Sequence, residues 1–170
     1  MHKLEEGELE FDFTTALNSL KFDQKDPTLP NYHDLQNMAR VDFIVEMQND
    51  IYFIEVKDPS NPRAVNRAGF MQKIVNGTLV SSLKNKYLYT FFFRWAENRL
   101  KKSVHYLCLI TLDSADILTI NSQLKQIYLV KQLSTNSSRW SRVPLASCQV
   151  HNITTWSAVF PDWPITRTTP

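Results

Sequence analysis

Glycine and cysteine are scarce in this sequence of 170 residues, and their scarcity excludes several classes of protein. Three glycines cannot supply a collagen repeat, a flexible linker or the glycine-rich loop of a nucleotide site. Two cysteines, Cys108 and Cys148, are too few for a disulfide framework and lack the clustering of a zinc site. The four histidines are scattered, without the spacing of a zinc protease.

Long apolar runs are also missing, since no stretch approaches the roughly 18 residues of a membrane helix. The acidic stretch over residues 1–12 is unlike a secretory signal. The 43% of hydrophobic and 12% of aromatic residues are enough to build a buried core. Together these features predict one globular, cytoplasmic domain over residues 1–170. Its core is expected over about 4–133, followed by an irregular C-terminal segment over about 134–170.

Charge is divided unevenly along the chain. Residues 1–60 contain five Lys or Arg and thirteen Asp or Glu, whereas residues 61–170 contain fourteen and four. Such a division is compatible with a divalent metal site beside a phosphate-binding surface. The alternative is that solvated helix faces carry blocks of charge.

Hydrophobic periodicity predicts a mixture of helices and strands. Leu9, Phe13, Ala16 and Leu20 recur at helical spacing and predict a helix over residues 4–22. Further expected elements are strands over 40–48 and 51–57, helices over 68–75, 78–102 and 114–126, and strands over 104–112, 126–133 and about 146–151. This order predicts an α/β fold in which a mixed central sheet starts with a β-hairpin and is flanked by helices.

The expected hairpin carries charged side chains among apolar neighbours. Asp42 begins its first strand, and Glu55 and Lys57 end its second. Burying an unpaired carboxylate or ammonium is unfavourable, so these charges need an explanation. A turn at Asn49-Asp50 would pair Asp42 with Lys57, collect all three charges on one face and leave the other face apolar. The alternative is structural: Asp42 caps a loop, and Glu55 pairs with Lys57 on an exposed edge.

Two carboxylates and a lysine at one strand end suit the metal-assisted hydrolysis of a phosphodiester. Carboxylate oxygens are ligands for Mg²⁺ or Mn²⁺, and such a metal lowers the pKa of a bound water. A lysine can orient that water or stabilise negative charge in the transition state.

These residues resemble the PD-(D/E)XK nuclease superfamily, which has the restriction-endonuclease-like fold. Asp42 matches the first Asp of the family's signature, and Glu55-Val56-Lys57 matches its Glu-X-Lys. The resemblance covers about residues 4–112, and Val41 stands where a proline often precedes the Asp.

The resemblance implies a restriction-endonuclease-like core and a Mg²⁺- or Mn²⁺-dependent endonuclease. Its metal ligands would be Asp42, Glu55 and a glutamate of the preceding helix, either Glu10 or Glu6, with Glu10 preferred. Lys57 would complete the catalytic set.

The resemblance also implies a nucleic-acid substrate, with DNA expected over RNA. The residues that could contact its phosphates are Arg63, Arg67, Lys73, Lys84 and Tyr87. Specificity would come from substrate structure, a homodimer or a partner subunit. The main alternative is a catalytically inactive nucleic-acid-binding or assembly protein that retains the fold, and a further one is a protein-interaction domain.

Overall fold

The computed structural model describes residues 2–29, 31–32, 38–64, 66–127 and 141–168. Its strands are β1 (Lys3–Glu6), β2 (Leu9–Asp12), β3 (Asn18–Lys21), β4 (Phe43–Glu46), β5 (Asp50–Lys57), β6 (Ser103–Ile110), β7 (Ser147–His151) and β8 (Ile165–Arg167). The helices of this described part are α1 (Arg67–Val75), α2 (Thr78–Ala96), α3 (Ser114–Ile127) and α4 (Ile153–Val159).

The strands form two sheets. The central sheet has five strands in the order β3-β4-β5-β6-β7, and the small sheet has three in the order β1-β2-β8. In the central sheet β3, β4 and β5 are antiparallel, whereas β6 and β7 continue in parallel with β5. The α/β class and the mixed sheet are therefore as predicted, and β3 precedes the β4–β5 hairpin.

Two apolar clusters pack against opposite faces of the central sheet, because neighbouring strand residues point to opposite sides. The first cluster joins Phe53 of β5 to Leu83 of α2 and Ile120 of α3. The second joins Ile54 of β5 to residues of the small sheet and to Trp156 of α4. The molecule therefore has three layers, with the central sheet in the middle.

The predicted helix over residues 4–22 is wrong, because this segment forms β1, β2 and β3. Leu9, Phe11 and Phe13 are all fully buried, which is the period-two pattern of a strand with one face in the core. Gly7 has φ +59° and makes the turn between β1 and β2. The alternation over residues 8–13 was the signal for a strand.

The C-terminal segment is more regular than predicted, because it contains β7, α4 and β8. Asn152 caps α4 in a reciprocal capping box with Thr155. Trp156 and Trp163 are buried in the second cluster, and the Trp156 indole N–H donates to the Trp163 carbonyl. Of the strand predicted over 126–133, residues 126 and 127 belong to α3, and the rest lies outside the described residues.

The other predicted elements are confirmed with small changes in their bounds. The segments 40–48, 51–57, 68–75, 104–112, 114–126 and 146–151 contain β4, β5, α1, β6, α3 and β7. Helix α2 ends at Ala96 rather than near residue 102 because Asn98 adopts φ +58° in a Schellman-type end. Within the described part of the chain, no helix has the length and apolar character needed to span a membrane.

Candidate active site

Asp42 and Glu55 form a buried carboxylate pair where β4 begins and β5 approaches its end. Their exposed fractions are 3% and 0%. Phe43 pairs with Ile54, so Asp42, one residue before, lies opposite Glu55 rather than opposite Lys57. The predicted register is therefore wrong by two residues. A shift of two keeps every side chain on its predicted face.

The backbone holds the Asp42 side chain in a fixed position. The Val56 N–H donates a hydrogen bond of 2.7 Å to Asp42 Oδ2. The Asp42 carbonyl accepts from the Phe22 N–H at 2.7 Å, and the preceding Val41 N–H donates to Thr90 Oγ1 on α2. Asp42 is thus anchored at the junction of three strands and a helix.

Two lysines contact the carboxylate pair. Lys57 Nζ lies 2.5 Å from Glu55 Oε1, as two residues on one face of β5 allow. Lys86 Nζ, from α2, lies 2.7 Å from the same oxygen and 3.5 Å from Asp42 Oδ1. The predicted grouping of Asp42, Glu55 and Lys57 is therefore present in the geometry, with a second ammonium added.

Sequence analysis missed Lys86 and named its neighbours on α2 instead. The signal was available in the helical period, since Leu79, Leu83 and Thr90 are buried on the face that points to the central sheet. Lys86 lies three residues after Leu83 and four before Thr90, so its side chain belongs to that inward stripe. A lysine on an inward stripe needs a buried acidic partner.

The protonation equilibria of the site are strongly perturbed. Burial, reinforced by the charge of Asp42, raises the pKa of Glu55 to about 7 against the opposing effect of both lysines. Burial likewise raises the pKa of Asp42, although Lys86 and Lys57 act to lower it. Burial alone would lower the pKa of Lys57, but Glu55 and Asp42 outweigh it, and the pKa lies above the ordinary range.

One observation indicates that the carboxylate pair suits a divalent cation. Glu55 Oε2 is buried and accepts no hydrogen bond from the described residues, which leaves a full oxygen ligand available. Carboxylate oxygens are the ligands that Mg²⁺ and Mn²⁺ prefer, and Mg²⁺ keeps several waters while taking one or two carboxylates. In the described ranges no set of three acidic, His or Cys side chains forms a metal cluster, so the pair would be the main protein contribution.

The two glutamates that were expected on a helix, Glu6 and Glu10, lie on strands instead. Glu10 lies on β2, and its Oε1 accepts from Lys3 Nζ at 2.8 Å. Glu6, at the end of β1, pairs with Lys21 Nζ at 2.9 Å, and its charge raises the pKa values of Asp42 and Lys57. The structure therefore brings Glu6, rather than the preferred Glu10, towards the carboxylate pair.

The five expected phosphate contacts have different environments. Tyr87 is buried and its hydroxyl donates to the Pro144 carbonyl at 2.6 Å, so this side chain presents almost no surface to a nucleic acid. Arg63 is 63% exposed and lies 3.2 Å from Glu8. Arg67 and Lys73 are exposed on α1, and Lys84 is partly buried on α2. Four of the five residues therefore remain available to a ligand.

Arg167 is a second residue that sequence analysis missed. Its guanidinium makes two hydrogen bonds to the carboxylate of Asp58, the residue after Lys57, at 2.7 and 3.0 Å. Thr111 Oγ1 donates to the same carboxylate at 2.6 Å. Burial would raise the pKa of Asp58, but the bonds from Arg167 and Thr111 keep that pKa below its ordinary value. Strand β8 is thus fastened to the end of β5.

Comparisons with known proteins identify no relative. No protein-family model matches the chain, and neither a curated protein nor a solved structure matches it. Any function must therefore be inferred from the geometry of the carboxylate pair and its lysines.

Proposed function

We propose that this protein is a Mg²⁺- or Mn²⁺-dependent nuclease of the PD-(D/E)XK type that hydrolyses phosphodiester bonds of DNA. The observation that carries the proposal is the convergence of Asp42, Glu55 and Lys57, with the Lys57 ammonium 2.5 Å from the Glu55 carboxylate. The antiparallel β3-β4-β5 unit, followed by helices and a parallel β6, supports the resemblance to a restriction-endonuclease-like core. The leading helix of that family is replaced by the small sheet.

The residues of the site have distinct roles in this proposal. In the hydrolysis, a water oxygen bonds to phosphorus, the phosphorus–oxygen bond to one sugar breaks, and that sugar oxygen takes a proton. Asp42 and Glu55 would hold the metal, which when bound supplies charge neutralisation and a more acidic water. Lys57, 30% exposed, would orient the water or offset the developing negative charge, and Glu6 would add a further carboxylate.

Features outside the site support a nucleic-acid ligand and a partner. Arg67 and Lys73 give α1 two exposed cations, which suits contacts with phosphates. Phe92 and Trp95, exposed on α2, support a homodimer or a partner subunit. The two buried free cysteines are compatible with a reducing compartment, and the proposal includes a cytoplasmic location.

Cleavage assays with metal or chelator on linear, branched and single-stranded DNA test the proposal. We expect Asp42→Asn and Lys57→Ala to lower the cleavage rate by about 10²-fold or more, since each removes a charge at the reacting centre. Asp50→Asn is the matched control, because it changes the same charge at the other end of β5. Glu6→Gln should lower the rate more than Glu10→Gln. Cleavage that persists unchanged in Lys57→Ala would refute the mechanism.

One observation favours the inactive alternative, a nucleic-acid-binding or assembly protein that retains the fold. Lys57 and Lys86 together already balance the charges of the two carboxylates without any metal. An inactive binder would retain salt-sensitive attachment to DNA, with the same affinity in wild type and Lys57→Ala, and cleave no substrate with either metal. Cleavage abolished by chelator and by Asp42→Asn excludes this alternative.

A further inference from the structure

Lys86 lies between the two acidic groups that would hold a metal. Its ammonium is 2.7 Å from Glu55 Oε1 and 3.5 Å from Asp42 Oδ1, so one cation contacts both members of the carboxylate pair. Lys57 approaches only the Glu55 carboxylate at hydrogen-bonding distance, from its own strand. Lys86 is thus the bridging cation of the site.

A divalent ion held by Asp42 and by Glu55 Oε2, which accepts no hydrogen bond in the described part of the chain, would lie close to the Lys86 ammonium, because that ammonium contacts one oxygen of each carboxylate. Mg²⁺ binds oxygen at about 2.0–2.1 Å. That distance is shorter than the Lys86 contacts, and two cations at such separations repel each other strongly in a buried site. Metal and ammonium therefore compete for the two carboxylates.

The Lys86 side chain can move more easily than the carboxylates. It is 16% exposed, and its four-carbon stem is flexible. The carboxylate pair has no such freedom, because Asp42 is fixed by the Val56 N–H and Glu55 is fully buried. Movement on metal binding would therefore belong to the lysine.

We propose that Lys86 is a built-in counter-ion of the carboxylate pair that must withdraw before a divalent metal binds. This inference rests on the proposed function, since it concerns the same site. The lysine holds the carboxylate pair together in the metal-free protein and weakens metal affinity by competing for the same carboxylates. Lys86 is thus a positioning residue that sets the metal concentration at which the site becomes occupied.

Titration of the whole chain with Mn²⁺ alone, without nucleic acid, tests the inference. Electron paramagnetic resonance measures the free Mn²⁺ and so gives the dissociation constant independently of cleavage. We expect Lys86→Met, which keeps the stem and removes the charge, to bind Mn²⁺ about tenfold more tightly or better, as loss of a competing charge requires. Lys101→Met removes the same charge from an exposed position near Glu46 and Ile51 and should change the affinity by less than about twofold, because an exposed charge is screened.

Further variants separate the possible results. The double variant with Asp42→Asn and Lys86→Met should lose the tight Mn²⁺ binding. That loss would show that the higher affinity of Lys86→Met comes from the carboxylate pair. If Lys86→Met is too unstable to study, Lys86→Gln retains a hydrogen-bond donor without the charge and should bind Mn²⁺ more tightly in the same way. Melting temperatures give a second readout, since Mn²⁺ should raise that of Lys86→Met more than that of wild type.

The inference and the proposed function fail in different ways. Equal or weaker Mn²⁺ binding by Lys86→Met, with metal-dependent cleavage by wild type intact, overturns the inference alone. Tight binding by Lys86→Met, with neither binding nor metal-dependent cleavage by wild type, supports the inference and refutes an active wild-type nuclease. Absence of binding by every variant at millimolar Mn²⁺ overturns both.

Discussion

At the scale of single residues, Glu55 is a fully buried glutamate beside a second buried carboxylate. Burial raises its pKa to about 7, so it exchanges a proton near neutral pH, while Lys57 and Lys86 stay within 2.5 and 2.7 Å of its Oε1. Buried charges of this kind contribute little net stability compared with well-packed apolar residues. Their clustering therefore favours a site for chemistry over a structural role.

The raised pKa of Glu55 predicts how stability depends on pH. Above its ordinary value of 4.5 and up to about 7, the folded state keeps a proton that the unfolded state has released. The stabilisation is therefore complete below pH 4.5 and is lost as the pH rises through 7. We expect the free energy of unfolding of wild type to fall relative to that of Glu55→Gln over this range, by about 3 kcal/mol at most.

Urea unfolding with chelator present, at about pH 4.5, 6 and 8, measures this difference. Glu97→Gln is the control, because it removes the charge of an exposed glutamate outside the carboxylate pair. A difference between wild type and Glu55→Gln that does not vary with pH would contradict the raised pKa.

At the scale of elements, the N-terminal segment illustrates competition between two periodicities. Leu9 and Phe13 fit a helical stripe, but Phe11 lies between them and is equally buried. In a helix Phe11 would point away from that stripe, whereas in β2 all three side chains enter the second cluster. Burial of a third aromatic residue therefore favours the strand.

Substitution of Gly7 tests whether this segment forms two strands joined by a turn or a helix. The two structures predict changes of opposite sign in the free energy of unfolding. Gly7 has φ +59° and nothing lies within 4 Å of an added Cβ, so an alanine would meet backbone strain alone. We expect Gly7→Ala to lower the free energy of unfolding by about 1–2 kcal/mol, and Gly7→Asn to lower it less. In the interior of a helix the same alanine would raise it by about 1 kcal/mol. Urea titration of the two variants beside wild type decides between the strand turn and the helix.

At the scale of the whole molecule, the small sheet joins the first and last described strands and fastens them to the central sheet. Leu9 of β2 pairs with Arg167 of β8, and the Arg167 guanidinium binds Asp58 at the end of β5. The same guanidinium lies 3.4 Å from Glu8. The small sheet is therefore held against the end of β5.

Removal of this link should loosen the attachment of the small sheet. We expect Arg167→Met to lower the free energy of unfolding by about 1–3 kcal/mol, because it leaves the half-buried Asp58 without its charged donor. Arg63→Met removes an arginine that is 63% exposed and paired with Glu8, and should cost less than about 1 kcal/mol. Denaturant unfolding measures both variants, and equal losses would contradict a special role for Arg167.

Much of the fold and the centre of the site were accessible from the sequence, because they depend on local patterns. The apolar runs of β4 and β5 are enough to indicate a hairpin, and the alternation of side chains along a strand assigns Asp42, Glu55 and Lys57 to one face. The exact register was not accessible, since it depends on whether the turn occupies Gln48-Asn49 or Asn49-Asp50. Both turns give the same faces.

Local periodicity alone determined the hairpin, the helices α1 to α3 and the buried charges of the site. Each of these features depends on residues that are close together in the chain. Tertiary structure alone decided that Lys86 bridges the carboxylate pair and that Glu6 rather than Glu10 approaches it, and it decided between the helical and the alternating pattern that both fit β2. These outcomes depend on contacts between distant segments, such as Leu9 with Arg167 and Lys86 with Asp42. The free energy of such contacts comes from burial and charge pairing that exist only after the layers have packed.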